Sequence, residues 1–329
     1  MKRIDLSSGI IAAPIMPFHN DYSPDWKTLE TYIYQVGAGQ PRAIAMNMAL
    51  SEGASLEVDE QLEVIRRCKR VLGQSCHLLS GINATHTAGA IKLAKKLVDA
   101  GADGLVVFPP VPAFYGPLPL EMIAAYHRDI AETVDVPLLA FQTNFVSYPP
   151  GTIKVLSEIP GIVGIKDASF SVDQTLQNVK EGSTLSRKIA ILTGSDTFIL
   201  EAILMGCDGA LIGFASSATA ALVQMHEFAK QGKITEAYQI WNALAPLARI
   251  GWRQPLRDYR VRMKYVLMKQ GILTNMTVRP PLPSLSEVDR HDIDEAFRKF
   301  HLGDPRFLPA GRAIENAGAM AGESVSRNA

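Results

Sequence analysis

The sequence predicts an α/β protein, a (β/α)8 or TIM barrel with a C-terminal helical extension. Eight short apolar runs alternate with longer amphipathic segments over about 215 residues, which is enough chain for one such barrel. The runs are apolar throughout, as expected for parallel strands that are buried on both faces. No Gly-rich phosphate loop follows the first run, where the rival fold, an open doubly wound sheet, usually carries one. The barrel is therefore the favoured fold.

The eight predicted strands follow one another along the first two thirds of the chain. They cover residues 9–15, 43–48, 77–82, 104–110, 136–141, 161–166, 188–194 and 209–215. Each run has only six or seven residues, and most of the runs are rich in β-branched side chains and leucine. That length and composition favour strands over buried helices.

The segments between the strands have the spacing of surface helices. The clearest examples cover residues 59–73, 86–104 and 197–209, with apolar side chains three or four residues apart. A glycine stands near the end of each of them, at Gly73, Gly101 and Gly206. Glycine is the usual residue just past a helix end, because it adopts a left-handed conformation at no steric cost. These glycines predict tight turns that lead into the following strands.

Past residue 218 the pattern changes to several helices without strands. A proline-marked connection at residues 278–285 precedes a last amphipathic segment. We assign residues 1–217 to the barrel, 218–308 to a C-terminal helical region and 309–329 to a tail. The tail is small and polar, so we expect it to be disordered.

Composition excludes several classes of protein. The 33 basic and 33 acidic residues cancel, so no net charge favours nucleic acid or an anionic membrane as a partner. Three cysteines without CxxC spacing, and seven histidines without HxH or HxxxH spacing, predict neither disulfides nor a metal site. No apolar run reaches about 18 residues, the length of a membrane-spanning helix. We expect a cytoplasmic protein without a cofactor.

Catalytic groups of such barrels lie where the strands end, and the sixth predicted strand ends in Lys166. Burial disfavours the charged form of a lysine, and an uncharged amine can attack a ketone to form a Schiff base. A solvated Lys166, or one paired with Asp167, is the structural alternative. Other polar groups at predicted strand ends are Ser51, Glu52, Gln142, Ser195 and Asp196. Glu52 also fits a structural role at a helix entry.

The order of these landmarks resembles the dihydrodipicolinate synthase and N-acetylneuraminate lyase family of Schiff-base barrels. The matching segments are GIIAAPIMPF, SEGASL, GINATHTAGAIKLAKKLVDAGADGLVV, VPLLAF, GIVGIKDAS, LTGSD, GCDGALIGFAS and RPPLPSL. They are spread over roughly residues 8–300, and together they are specific, although each one alone is weak.

The resemblance implies roles for several residues. Lys166 corresponds to the imine-forming lysine. Gly194 and Ser195 correspond to backbone beside the bound 2-oxo acid, with Leu211 nearby. Tyr115 falls near a tyrosine that can reach into a neighbouring subunit's site, so we name it with Lys166 as catalytic. The resemblance also implies a homo-oligomer, a tetramer or dimer.

Three departures from the family pattern bear on the mechanism. The segment Gly-Thr-Thr-Gly-Glu is replaced by Met48-Ala49-Leu50-Ser51-Glu52, so both threonine hydroxyls are missing. Phe141 stands where the family has a proton-shuttling tyrosine, and a phenyl ring cannot move a proton. Val146 stands in place of the arginine that binds a second carboxylate. Ala49, Leu50, Ser51 and Phe141 remain the predicted substrate-binding positions.

The sequence therefore predicts a Schiff-base lyase, an aldolase or dehydratase, for a small 2-oxo acid such as pyruvate or a keto-deoxy sugar acid. Dihydrodipicolinate synthase activity itself is not expected. Protons would pass through Ser51, Ser195, a substrate carboxylate or water. The alternative is a catalytically idle homologue that binds a 2-oxo acid as a sensor or partner protein. A phosphate-binding barrel enzyme is less favoured, because no glycine cluster adjoins a helix start after the last two strands.

Overall fold

A computed structural model describes residues 4–116 and 118–299 of the chain. Eight parallel strands form a closed barrel in which each strand pairs with its neighbours in chain order and the eighth pairs with the first. The predicted barrel is confirmed, and the open sheet is excluded because the barrel closes.

The strands are shorter than most of the predicted apolar runs. They are β1 Gly9–Ala12, β2 Ala43–Met46, β3 His77–Ile82, β4 Gly104–Val107, β5 Leu138–Thr143, β6 Ile162–Ala168, β7 Ala190–Thr193 and β8 Gly209–Ile212. In β1, β2, β4, β7 and β8 the last residues of the run leave the strand ladder and form the loops above the barrel. β5 and β6 instead extend two residues past the predicted ends at 141 and 166, so Lys166 lies within a strand.

Helices follow the strands on the outside of the barrel and continue beyond it. They are α1 Trp26–Ala38, α2 Val58–Leu72, α3 Thr87–Asp99, α4 Leu120–Ala131, α5 Thr152–Ser157, α6 Val172–Ser183, α7 Ile199–Leu204, α8 Thr219–Lys230, α9 Ile234–Gly251, α10 Tyr259–Lys269 and α11 Glu287–Lys299. The predicted helix-end glycines Gly73, Gly101 and Gly206 all have positive φ, as that role requires. Within the described ranges, no helix is long and apolar enough to span a membrane.

The barrel has two apolar layers because successive strand residues point to opposite faces. One cluster fills the barrel interior and includes Leu79, Leu139, Leu192 and Leu211. The other lies between the strands and the surrounding helices and continues into α9 and α10. The C-terminal helices therefore share a core with the barrel.

Helix α8 lies at the predicted boundary between the barrel and the extension. It packs against β1 and α7 of the barrel and also against α9, and the boundary at 217 stays a prediction. Helices α9 to α11 form the extension proper. The predicted tail at 309–329 lies outside the described residues.

A buried ion pair joins the loop after β2 to the extension. Glu52 has a positive φ and accepts a hydrogen bond of 2.6 Å from Lys264 Nζ on α10. The backbone N–H of Arg279 donates to the second carboxylate oxygen at 3.0 Å. Both charged side chains are almost fully buried. Glu52 thus holds the loop against the extension, a structural role different from the helix entry predicted for it, since its side chain caps no helix.

Candidate active site

A cavity of about 270 Å³ opens at the carboxyl ends of the barrel strands. Its walls come from residues in or after every strand except β3, and from the segment that leads from α9 into α10. Lys166, Asp196 and Arg260 are among the charged groups that line it. This is the face of the barrel where the sequence placed the reactive groups.

Lys166 enters the cavity from the barrel wall. Its register partners are Phe141 on β5 and Leu192 on β7, and both belong to the interior cluster. The lysine is 8% exposed, and its Nζ lies 4.4 Å from the centre of the Phe141 ring. Burial lowers the pKa of the Lys166 ammonium, and the negative charge of Asp196 opposes part of that shift.

Asp167 does not pair with Lys166, because its carboxylate is engaged elsewhere. It accepts hydrogen bonds from Gln142 at 2.8 Å, Thr175 at 3.0 Å and Asn178 at 3.2 Å. Among the described residues, no carboxylate lies within ion-pair distance (4.0 Å) of Lys166 Nζ. Neither structural alternative for Lys166, a solvated strand end or a pair with Asp167, matches this environment.

Asp196 is the acidic side chain that shares the cavity with Lys166. Its Oδ1 accepts a hydrogen bond of 2.7 Å from the backbone N–H of Phe214, and the residue is 3% exposed. Burial raises the pKa of the Asp196 carboxyl, against the opposing effects of that hydrogen bond and of the Lys166 charge. The sequence showed Asp196 at a strand end but gave no signal that it faces the lysine.

The predicted residues after β7 and in β8 occupy different positions around Lys166. Gly194 lines the cavity, and a Cβ at this residue would lie 2.6 Å from Lys166 Cε. Ser195 is buried, and its Oγ accepts a hydrogen bond of 3.1 Å from the Phe170 N–H. Leu211 packs in the barrel interior. Of these three, Gly194 reaches the cavity surface.

The loop after β2 contributes two adjacent small or apolar residues to the lining of the cavity. Ala49 and Leu50 line it, and their N–H groups have no hydrogen-bond acceptor within the described part of the chain. Ser51 is fully buried; its Oγ accepts a 2.8 Å hydrogen bond from the Met48 N–H and donates to the Met48 carbonyl. Its hydroxyl therefore holds the loop in shape and does not line the cavity.

Aromatic rings form much of the cavity wall. The rings are Phe108, Phe141, Phe145, Phe170, Trp252 and Tyr259. Phe108 meets Phe141 edge to face at 4.7 Å, and Trp252 stacks on Tyr259 at 5.7 Å. The cavity is therefore mainly apolar, with charge confined to a few groups.

The extension supplies one wall that sequence reasoning did not predict. Trp252, Leu256, Arg257, Tyr259 and Arg260 all line the cavity. They lie on the segment between α9 and α10, where no local pattern indicates which face turns toward the barrel. Identifying this wall required the tertiary structure.

Two remaining sequence assignments lie away from the charged groups. Tyr115 ends a short 3-10 turn after β4 and is 85% exposed. Its role in a neighbouring subunit stays a prediction. Val146 is buried and forms an isolated bridge with Thr143. Across residues 4–116 and 118–299, no three His, Cys, Asp or Glu side chains are grouped so that they could hold a metal ion.

Comparison with known proteins connects this geometry to a family. The model of the dihydrodipicolinate synthetase family matches residues 6–299. A 4-hydroxy-tetrahydrodipicolinate synthase of Saccharophagus degradans is 29% identical over 89% of this chain and 99% of its own length. An uncharacterised DapA-like lyase of Pyrococcus abyssi is 28% identical over 83% of this chain and 91% of its own.

Solved structures of similar proteins have the same architecture. The chloride-inhibited dihydrodipicolinate synthase of Acinetobacter baumannii, complexed with pyruvate, is 27% identical with a TM-score of 0.81, covering 90% of this chain and 99% of that one. Dihydrodipicolinate synthase of Thermotoga maritima has a TM-score of 0.83 at 19% identity, covering 91% of this chain and 100% of that one. A structure described as the first monomeric dihydrodipicolinate synthase variant has a TM-score of 0.82 at 19% identity, covering 90% of this chain and 97% of that one.

Proposed function

Because this chain belongs to the dihydrodipicolinate synthetase family, we propose that it is a Schiff-base lyase, an aldolase or dehydratase, for a small 2-oxo acid such as pyruvate or a keto-deoxy sugar acid. One observation carries the proposal. Lys166 is buried in the cavity with a lowered pKa and without an ion-pair partner among the described residues. Such a lysine has a larger uncharged, nucleophilic fraction near neutral pH than an ordinary one.

The chemistry begins when the uncharged Lys166 amine attacks the C2 carbonyl carbon of the 2-oxo acid. A carbon–nitrogen bond forms, the carbonyl oxygen leaves as water, and the resulting iminium withdraws electrons from the neighbouring carbon. In an aldol cleavage the bond between C3 and C4 breaks and its electron pair forms an enamine, while the C4 hydroxyl gives up its proton. In a dehydration C3 loses a proton to give an enamine, and the hydroxyl on C4 takes up a proton and leaves as water. Hydrolysis of the imine returns the lysine.

We assign the proton transfers to Asp196. It lines the same cavity as Lys166, and a carboxyl with a raised pKa can both accept and release a proton near neutral pH. Phe141, beside the lysine, offers no such group. Ser51 and Ser195 are less suited, because their hydroxyl oxygens already bond to neighbouring backbone.

The lining also supports a substrate other than that of the synthases. Val146 is buried and contributes no cation to the cavity, and aromatic rings form much of the wall. Within this class of 2-oxo acids, a substrate with an apolar far end suits the wall better than a keto-deoxy sugar acid with many hydroxyls, because an unpaired polar group is costly to bury.

Reductive trapping tests the proposal directly. Incubation with pyruvate and cyanoborohydride should convert the imine into a secondary amine, which adds pyruvic acid less one oxygen to the peptide that contains Lys166. The Lys264 peptide is an internal control, because that lysine is also buried with a lowered pKa but lies outside the cavity. A Lys166→Ala variant should give no adduct at the active site. Absence of a Lys166 adduct with every 2-oxo acid tried would contradict the proposal.

The second candidate is a non-catalytic homologue that binds a 2-oxo acid. The phenyl ring of Phe141 beside Lys166 favours it, because the family's usual proton shuttle is missing. Calorimetry and turnover assays over a panel of 2-oxo acids separate the two. Binding and trapping without turnover of any member would support the sensor.

A further inference from the structure

A 2-oxo acid brings a carboxylate into the cavity, and that charge needs a partner because burying an unpaired ion is strongly unfavourable. The side chains of Ala49 and Leu50, on the loop after β2, are apolar. Lys166 is committed to the carbonyl carbon in the proposed chemistry. The receptor for the carboxylate must therefore come from other groups of the cavity.

Arg260 on α10 has the geometry of such a receptor. The residue lines the cavity and is partly buried. Its Nε donates to the Ala49 carbonyl at 2.7 Å, and the group lies over the Tyr259 ring at 4.6 Å. These two contacts fix the plane of the guanidinium beside the loop that carries the free N–H groups of Ala49 and Leu50.

The terminal nitrogens of Arg260 remain available to a ligand. Nη1 has a marginal contact of 3.4 Å to the Arg257 carbonyl, and no acidic side chain of the described residues forms an ion pair with Arg260. Arg257, the other arginine of the lining, is exposed and has Asp258 at 3.5 Å. A pre-positioned guanidinium with unused donors is suited to bidentate binding of a carboxylate.

We infer that Arg260 binds the carboxylate next to the reacting carbonyl of the 2-oxo acid. The helical extension then takes part directly in substrate recognition. The assignment rests on the proposed function, since it concerns the same substrate. It makes Arg260 a residue that selects 2-oxo acids over neutral ketones.

The test compares a charged substrate with its neutral counterpart. Pyruvate and methyl pyruvate have the same reacting carbonyl, and both are trapped on Lys166 with cyanoborohydride at several concentrations. In Arg260→Gln the concentration that gives half-maximal trapping by pyruvate should rise about 10- to 100-fold, the range expected for lost hydrogen bonds to a charged group. The value for methyl pyruvate should stay within about threefold. The half-maximal pyruvate concentration of Arg260→Lys should lie in between, because lysine keeps the positive charge but lacks the paired N–H donors of a guanidinium.

Arg249→Gln is the matched control, since it removes the same charge from an exposed residue of the extension that lies outside the cavity lining. It should leave both trapping curves unchanged. Equal losses for pyruvate and methyl pyruvate in Arg260→Gln would indicate a structural role and overturn the inference. So would an unchanged pyruvate curve, or a loss in Arg249→Gln as large as that in Arg260→Gln. Failure of the proposed function is distinguishable, because the unmodified protein would then give no Lys166 adduct with either compound.

Discussion

At the scale of single residues, the reactivity of Lys166 depends on two opposing neighbours. The apolar surroundings, including the Phe141 ring at 4.4 Å, disfavour the ammonium, while the negative charge of Asp196 favours it. The two groups are both buried in one cavity, so the charge state of each sets that of the other. Removal of the Asp196 charge is therefore expected to lower the pKa of Lys166.

Asp196→Asn should shift the acid limb of Lys166 trapping to lower pH. Without the carboxylate the pKa of Lys166 falls further, so the amine is uncharged over a wider range of pH. Asparagine can still accept the Phe214 N–H, and the fold should survive. Turnover should fall about 100-fold or more, because proton transfer is lost. The measurements are trapping rate and turnover as functions of pH.

Asp173→Asn serves as the control, because Asp173 is an exposed carboxylate on α6. It should change neither profile. A trapping profile that stays in place in Asp196→Asn, or that moves to higher pH, would show that the two groups do not interact as the shared cavity implies. An unchanged turnover would remove Asp196 from the mechanism.

At the scale of elements, the site depends on how α10 is held against the loop after β2. Glu52 and Lys264 form the closest contact between them, at 2.6 Å with side chains at most 1% exposed. Lys264 also donates to the carbonyl of Thr277. Burial lowers the pKa of Lys264 to about 8, although the Glu52 charge opposes this shift. Such a lysine is charged near neutral pH mainly because its partner is present.

Glu52→Gln should reduce the free energy of unfolding by about 3 kcal/mol, the cost of leaving one member of a buried ion pair without its partner. Urea denaturation measures it. Glu287→Gln is the control, since Glu287 is 88% exposed and its ion pair with Arg290 is loose, at 3.7 Å. We expect the free energy of unfolding to fall by less than about 0.5 kcal/mol in this variant. Adding Lys264→Met to Glu52→Gln should recover part of the loss. Equal effects of the two single variants would contradict the buried pair.

The elements show which features a sequence can and cannot predict. The apolar runs predicted all eight strands, and the helix-end glycines predicted turns such as those at Gly101 and Gly206, because these signals are local. Helix α8 was assigned to the extension, since nothing local separates barrel helices from the helices that follow them. Local patterns identify elements but not which distant element they contact.

The same limit applies to the candidate site, where some residues could be predicted from the sequence and others could not. Lys166 could be predicted from the barrel rule, which places strand ends around one cavity, and Gly194 and Phe141 were predicted from the family resemblance. Asp196 was visible at a strand end but could not be given a role, because its burial beside the lysine depends on the packing of several loops. Nothing in the sequence indicated that Arg260 belongs to the site, because its proposed role depends on where α10 contacts the barrel.

At the scale of the whole molecule, the extension and the barrel form one structure with a shared core. Trp252 is packed between Phe214 of the barrel, at 6.3 Å, and Tyr259 of the extension. A Cβ on Gly213 would lie 2.7 Å from the Trp252 ring, so the contact is close. The apolar cluster between strands and helices continues through α9 and α10. Two independently stable domains are not expected from such an arrangement.

This shared core predicts that the extension and the barrel unfold together in urea. Two of the three tryptophans, Trp241 and Trp252, lie on the extension, so fluorescence of a Trp26→Phe variant reports on the extension and its contact with the barrel. The cysteines report on the barrel, since all three are buried there and react with a thiol reagent only when it opens.

The midpoints of the fluorescence and thiol-labelling transitions should coincide, and trapping at Lys166 should be lost at the same urea concentration. Unmodified protein followed by circular dichroism controls for the Trp26 substitution. A fluorescence transition at clearly lower urea, with the cysteines still protected, would mean that the extension detaches first. If Lys166 were then still trapped by pyruvate as efficiently as in the folded protein, the extension would contribute nothing to the site. If instead pyruvate trapping disappeared together with the fluorescence change while the cysteines stayed protected, trapping would depend on the cavity wall that Trp252 and Arg260 form.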